Sequence, residues 1–135
     1  MAKFESVKEV DMFYDMVMAN QLTGQGPKGT CVEYATTSTM VSKTKYPQTS
    51  RTINGRKIYM RIHRLALLKK MRVAHLDSSI EASHLCHNTK CMNMDHIVAE
   101  THESNQSRIT CANERKNMGN SNYCTGDHYG NPNCI

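Results

Sequence analysis

Six cysteines and seven histidines among 135 residues constrain this chain more than its apolar pattern does. The run from Ser83 to His96 holds Cys86, Cys91 and His96 as Cys-x4-Cys-x4-His, a spacing that lets one loop wrap a tetrahedral ion with sulfur and imidazole donors. That loop lacks a fourth ligand. Cys31 is the only thiol outside the C-terminal half, which makes it the natural candidate to complete a Cys3His set. Cys111, Cys124, His128 and Cys134 form a second Cys3His set and consume the remaining thiols. The competing readings are ordinary buried thiols or a disulfide framework whose pairing the spacing does not fix. Zinc is favoured because the stretch from Gly119 onward is turn chemistry with almost no apolar content, and such a tail cannot fold by burial. A structural zinc site supplies folding free energy on the order of 10 kcal/mol.

Composition agrees with that need for an external staple. Ten Met stand against two Phe and no Trp, so the core must be packed with side chains that specify shape weakly. The longest apolar runs, Met16 to Ala19 and Leu65 to Leu68, fall far short of the roughly 18 residues of a membrane span. The start, Met1-Ala2-Lys3-Phe4-Glu5-Ser6, has no apolar signal core, so the expected setting is intracellular and reducing, and the nucleus if the host is eukaryotic. In such a compartment thiols near histidines are more often metal ligands than disulfides. The net charge of +5 suits a polyanionic partner without demanding one.

Periodicity predicts an α+β fold in one domain over residues 1–135. Residues 1–75 are expected to supply a helix and a sheet with one basic face, and residues 76–135 a C-terminal loop and every donor but Cys31. Phe4, Val7, Val10, Phe13, Tyr14 and Val17 recur at helical spacing and stop before Gly24. Residues 24–29 read as a loop, residues 30–36 as a short strand, and residues 37–50 as solvent-facing. Asn54-Gly55 predicts a tight hairpin joining strands near 49–53 and 57–63. In the second strand Ile58, Met60 and Ile62 would face the core, while Lys57, Tyr59, Arg61 and His63 would face outward. A short helix over 64–72 should back that sheet. Ile97 to Ala99 suits another strand, with Thr101 capping a helix over roughly 102–116.

Ser-His-Leu-Cys-His-Asn-Thr-Lys-Cys at 83–91, followed by His96, Asn105, Arg108 and Cys111, resembles the His-Cys box of homing endonucleases, within the ββα-metal (His-Me finger) nucleases. The continuous likeness runs from Ala82 to Cys111. The resemblance implies a small antiparallel ββα-metal motif stabilised by two structural zincs. It implies Cys31, Cys86, Cys91 and His96 on the first zinc, and Cys111, Cys124, His128 and Cys134 on the second. It also implies His84 as general base, Asn105 as the ligand of one catalytic magnesium, and an arginine on the scissile phosphate. Arg56 is the best match for that arginine, with Arg61 and Arg64 as competitors. Lys57, Tyr59, Arg61 and Arg108 are the expected contacts to double-stranded DNA, with a salt bridge as the equal alternative for Arg108.

Residue chemistry supports the same roles. His84 stands two residues before a zinc ligand, so a metal loop would fix its backbone, and an imidazole can take a proton from water near neutral pH. Asn105 offers a hard, neutral amide oxygen of the kind magnesium accepts. The implied activity is magnesium-dependent hydrolysis of DNA to 5′-phosphate and 3′-hydroxyl ends, site-specific and of homing type. The alternatives are a nonspecific or nicking nuclease and a non-catalytic zinc module that binds nucleic acid. No membrane partner is expected. A homodimer stays open, because the C-terminal extension that joins dimers in the family has no counterpart before Ile135.

Overall fold

The computed structural model describes residues 3–20, 22–25, 31–34 and 46–119, together with residues 124, 128, 132 and 134. The chain runs α1 (Val7–Asn20), β1 (Leu22–Gln25), β2 (Val32–Tyr34), β3 (Gln48–Ile53), β4 (Arg56–Arg61), α2 (Ile62–Met71), β5 (Ile80–His84), a 3-10 turn (Met94–His96), β6 (Ile97–Thr101) and α3 (His102–Met118). The strands pair as three separate two-stranded antiparallel sheets, β1 with β2, β3 with β4 and β5 with β6. The fold is α+β, as the periodicity predicts.

In α1 the helical spacing brings Val10, Phe13 and Val17 onto one buried face, with Phe4 packed against Phe13 edge-on at 5.5 Å. Val7, expected on that face, is 36% exposed together with Met12, Met16 and Met18. The hairpin turns at Asn54 (φ 51°) and Gly55 (φ 80°), the two left-handed positions that Asn-Gly accepts most readily. Ile53, Ile58 and Met60 then meet the α1 face in one core with Ile62, Leu65 and Leu68. Burial of each such side chain contributes about 1.5–3 kcal/mol.

Three expectations are corrected here. The strand predicted through His63 ends at Arg61, and Ile62 already opens α2, its N–H donated to the Pro47 carbonyl at 3.0 Å. That switch from a two-residue to a helical period turns His63 inward instead of outward. The predicted loop from Gly24 begins inside β1, which pairs with β2; residues 26–30, 35–45 and most of the tail after Gly119 lie outside the described residues. Backing a sheet is also only half of what α2 does. Its opposite side packs Ala66 and Leu67 against Ala82 of β5 and Ile97 of β6. The helix therefore stands between the β3–β4 hairpin and the β5–β6 hairpin, and it ends at Arg72 in the left-handed conformation, whose N–H caps the Leu68 and Lys69 carbonyls.

β5 and β6 pair from Ile80↔Thr101 to His84↔Ile97, with residues 85–96 between them. Thr101 caps α3 by accepting from the Ser104 N–H at 3.3 Å, and Gly119 closes the helix at φ 65°. α3 buries only Ser104, Arg108 and Cys111 of its 17 residues, none of them a large apolar side chain.

Candidate functional site

Two four-residue clusters have all their donor atoms within 4.8 Å of one another: Cys31, Cys86, Cys91 and His96, and Cys111, Cys124, His128 and Cys134. These are the two sets read from the spacing. A zinc with sulfur at about 2.3 Å and nitrogen at about 2.0 Å has tetrahedral edges of roughly 3.5–3.8 Å. In the first cluster the Cys31 and Cys91 sulfurs each lie 3.5 Å from His96 Nδ1. In the second, Cys124 and Cys134 lie 3.4 and 3.3 Å from His128 Nε2, and Cys134 lies 3.8 Å from Cys111. The donor sets thus already have the shape of zinc sites.

Local structure explains how each set assembles. The 85–96 connection folds back so that the Leu85 N–H reaches the His96 carbonyl at 2.7 Å, and the Asn93 side chain caps the 3-10 turn that carries His96. Cys31 enters from far upstream beside β2, where the Met92 N–H is donated to the Val32 carbonyl at 2.6 Å and Glu33 bridges to Cys91. Cys91 accepts from the Cys86 thiol, which favours its thiolate and pushes the Cys86 thiol up. Burial raises Cys31 in the same pocket. At the second set His128 shows Nε2 to the sulfurs because its Nδ1 contacts Ser107 Oγ at 2.8 Å, a bond that fixes ring orientation.

Arg108 is corrected. It was expected against DNA, yet it is 1% exposed and clamps the buried Glu100 with Nε at 2.6 Å and Nη2 at 2.8 Å. Burial alone would raise the Glu100 carboxyl, but Arg108, Ser83 and Ser104 together hold it low. Arg108 also donates to the Pro132 carbonyl at 2.6 Å, and Ser104 Oγ donates to Glu100 and to the His128 carbonyl. This network ties α3 to the last ligands. The salt bridge that the sequence left open for Arg108 is thus the one found, with Glu100 as its partner.

Arg56 is likewise engaged. Its guanidinium forks onto both carboxylate oxygens of Glu9 at 2.6 Å and donates to the Lys3 carbonyl. Arg56 first, then the Glu5 N–H and Asn54, hold the Glu9 carboxyl down to about 2. The residue nominated for the scissile phosphate is committed to joining α1 to the hairpin turn. Lys57, Tyr59 and Arg61 do alternate outward on β4, all exposed, with the Lys57 ammonium 5.2 Å from the Tyr59 ring centre.

His84 closes β5, 8% exposed, with Nε2 bonded to the Cys91 carbonyl at 3.0 Å. A carbonyl only accepts, so Nε2 carries the proton and Nδ1 keeps its lone pair. Burial lowers its pKa, the Cys91 carbonyl opposing that effect. Asn105 lies in the first turns of α3 and donates from Nδ2 to Glu81 Oε1 at 2.8 Å, which turns its amide oxygen the other way. Glu81 also accepts from His102 and is held ionised chiefly by Asn105. Strand alternation puts Ala82 and His84 on the α2 side of β5, and Glu81 and Ser83 on the α3 side. No described contact joins His84 to Asn105, and no further named strand covers the outer edge of β5 between them.

The sequence reading passed over Glu81, Glu100, Ser107, Tyr46 and His63. No local spacing marks the last two. The His63 ring, from α2, lies 5.2 Å from that of His84, and Tyr46 stacks on it at 4.7 Å.

No helix among the described residues is long and apolar enough to cross a membrane. No curated protein matches the chain, and no solved structure does. A family described as the zinc-binding loop region of homing endonuclease matches residues 28–135, which contain every donor of both clusters. The chain belongs to that family, which points to a nuclease acting on DNA.

Proposed function

We propose that this chain is a magnesium-dependent DNA endonuclease of His-Me finger type that cuts to 5′-phosphate and 3′-hydroxyl ends at a specific homing site. The observation that carries the reading is His84: a buried imidazole, neutral by its surroundings, anchored through Nε2 to a carbonyl of the metal loop, with Nδ1 left to accept a proton. In this reading Nδ1 removes the proton from the attacking water as it approaches phosphorus in line.

Asn105 is the proposed magnesium donor, and its surroundings fit. The amide nitrogen is occupied by Glu81, so the oxygen is the end left to a cation, and the ionised Glu81 adds negative charge beside it. Bound magnesium would stabilise charge on the phosphate and on the departing 3′ oxygen. Among the described residues no named strand pairs with the outer edge of β5, and a phosphate laid along that edge would be reachable by groups from both faces of the strand.

With Arg56 engaged by Glu9, the arginine for the phosphate passes to Arg61 or Arg64. Both lie near enough to His63, whose ring is 5.2 Å from that of His84, to lower its pKa. They also line a cavity of about 700 Å³ together with Lys3, three cations suited to a DNA backbone. Lys57, Tyr59 and Arg61 would continue that surface along β4. With all four donors of each Cys3His set on a zinc no position would stay open, so the zincs would hold geometry and supply no chemistry.

The test is to incubate the protein with a randomised duplex library and magnesium and to sequence the ends. One recovered long motif with 5′-phosphates supports a homing enzyme, and scattered ends support a nonspecific nuclease. Intact DNA, or cleavage undiminished in His84→Ala, overturns the reading.

A further inference from the structure

Among the described residues, the cavity of about 700 Å³ at the end of β4 has a lining of two kinds. Lys3, Arg61 and Arg64 give it three cations. Met60, Ala74 and Leu76 give it an apolar wall, each packed against the core and only partly buried, and Tyr59 adds an aromatic ring that is 48% exposed. A duplex backbone presents phosphates and sugars, which use the cations. It has nothing to place on the apolar wall. Concave sites of roughly 300–1,000 Å³ with apolar linings and a few polar anchors are the class that takes a small organic group. A flat ring joined to a phosphate satisfies both halves of this lining, and in DNA that is a nucleotide whose base has left the stack.

We propose that this cavity is a base pocket: it receives one unpaired nucleobase of the bound DNA, with a phosphate of the same strand on Arg61 and Arg64. The inference deepens the reading of the chain as a DNA endonuclease and rests on it for the identity of the strand. Tyr59 is the stacking platform, since every base has a face that an exposed aromatic ring can cover. Met60, Ala74 and Leu76 take the base out of water, and the arginines hold its strand. The position of the cavity agrees. Arg61 and Arg64 stand close enough to His63 for their charges to act on it, and the His63 ring is 5.2 Å from that of His84. A nucleotide drawn into the cavity brings its strand to the side of the molecule that holds the proposed general base. Unstacking costs least where a base is already unpaired, so the pocket favours single-stranded, mismatched or locally melted DNA.

The test separates base from backbone. Zinc-loaded protein without magnesium is titrated, at one fixed salt concentration, with a thymidine strand of about 12 nucleotides and with an abasic strand of the same length and charge. The thymidine strand should bind about 5–150-fold tighter, the range set by stacking of one base. Tyr59→Ala should lose most of that preference and leave the abasic affinity within about twofold. Arg64→Ala should weaken both strands alike and keep the preference, because its contact is to phosphate. A thymidine strand carrying one iodouracil base, irradiated with the wild-type protein, should crosslink to Tyr59 or to residues 74–76, a readout that needs no variant. Three results overturn the inference: equal affinity for the two strands, crosslinks confined to other segments, or thymidine monophosphate displacing the strand at equal concentration, which would assign the cavity to a free nucleotide. Duplex left intact by magnesium removes the nuclease reading and leaves the strand comparison standing, whereas equal strand affinities remove the pocket and leave cleavage standing.

Discussion

The two ends of the chain solve the folding problem with different materials. The stretch from Phe4 to Leu68 closes on apolar side chains: Phe4, Phe13 and Val17 from around α1 meet Ile53 and Ile58 from the hairpin and Leu65 from α2. The stretch from Glu100 to Cys134 buries an arginine, a glutamate, a serine and, of its four metal-binding side chains, Cys111 and His128, and its helix contributes no large apolar residue to any core. Hydrophobic burial tolerates small errors because it has no direction. A tetrahedral donor set and a forked ion pair do not, and they fail together when one partner is lost. The region that carries the second donor set is thus the brittle one.

The largest break in this contrast comes from removing metal. Stripping zinc with a strong chelator should cost the C-terminal half on the order of 10 kcal/mol, seen as loss of amide protection over α3 while α1, β3 and β4 keep theirs. Elemental analysis should return about two zincs per chain; a value near zero would contradict both clusters. Next come two substitutions of similar size and different address. Arg108→Ala strands a buried carboxylate at Glu100 and should cost about 3–5 kcal/mol, read as weaker zinc retention at the second site. Phe13→Ala opens a cavity in the apolar core and should cost about 3–5 kcal/mol in denaturant unfolding without changing zinc affinity. If Phe13→Ala released zinc as readily as Arg108→Ala does, the two regions would not be energetically distinct.

Smaller effects sharpen the picture. Thr101→Ala removes the α3 cap and should cost about 1 kcal/mol. Lys57→Ala should leave stability unchanged and reduce the salt dependence of DNA binding by about one unit of slope, checked by titrating affinity against salt concentration. Arg56→Ala, by contrast, should weaken the joint between α1 and the hairpin and leave that slope alone, because its guanidinium is spent on Glu9.

Legibility in the sequence divides along the same line. Both donor sets were readable because metal ligands announce themselves by residue type, and eight side chains of two kinds leave few ways to group them. The Asn-Gly turn, the alternation along β4 and the Thr101 cap were readable because each is settled within a few residues. What escaped depends on partners distant in sequence. Arg108 and Arg56 look like cations offered to DNA until Glu100 and Glu9 are seen beneath them. His63 looked like the next outward residue of a strand, and the change of period at Ile62 reversed its direction.

Cys31 carries one more consequence. It reaches His96 across 65 positions, so the first donor set remains open until most of the polypeptide has left the ribosome. At roughly 5–20 residues added per second, that leaves an interval of several seconds. During it Cys31 is a lone thiol with no companions, exposed to whatever oxidant or stray metal it meets. A zinc ion can find all four donors of this set only once His96 has emerged.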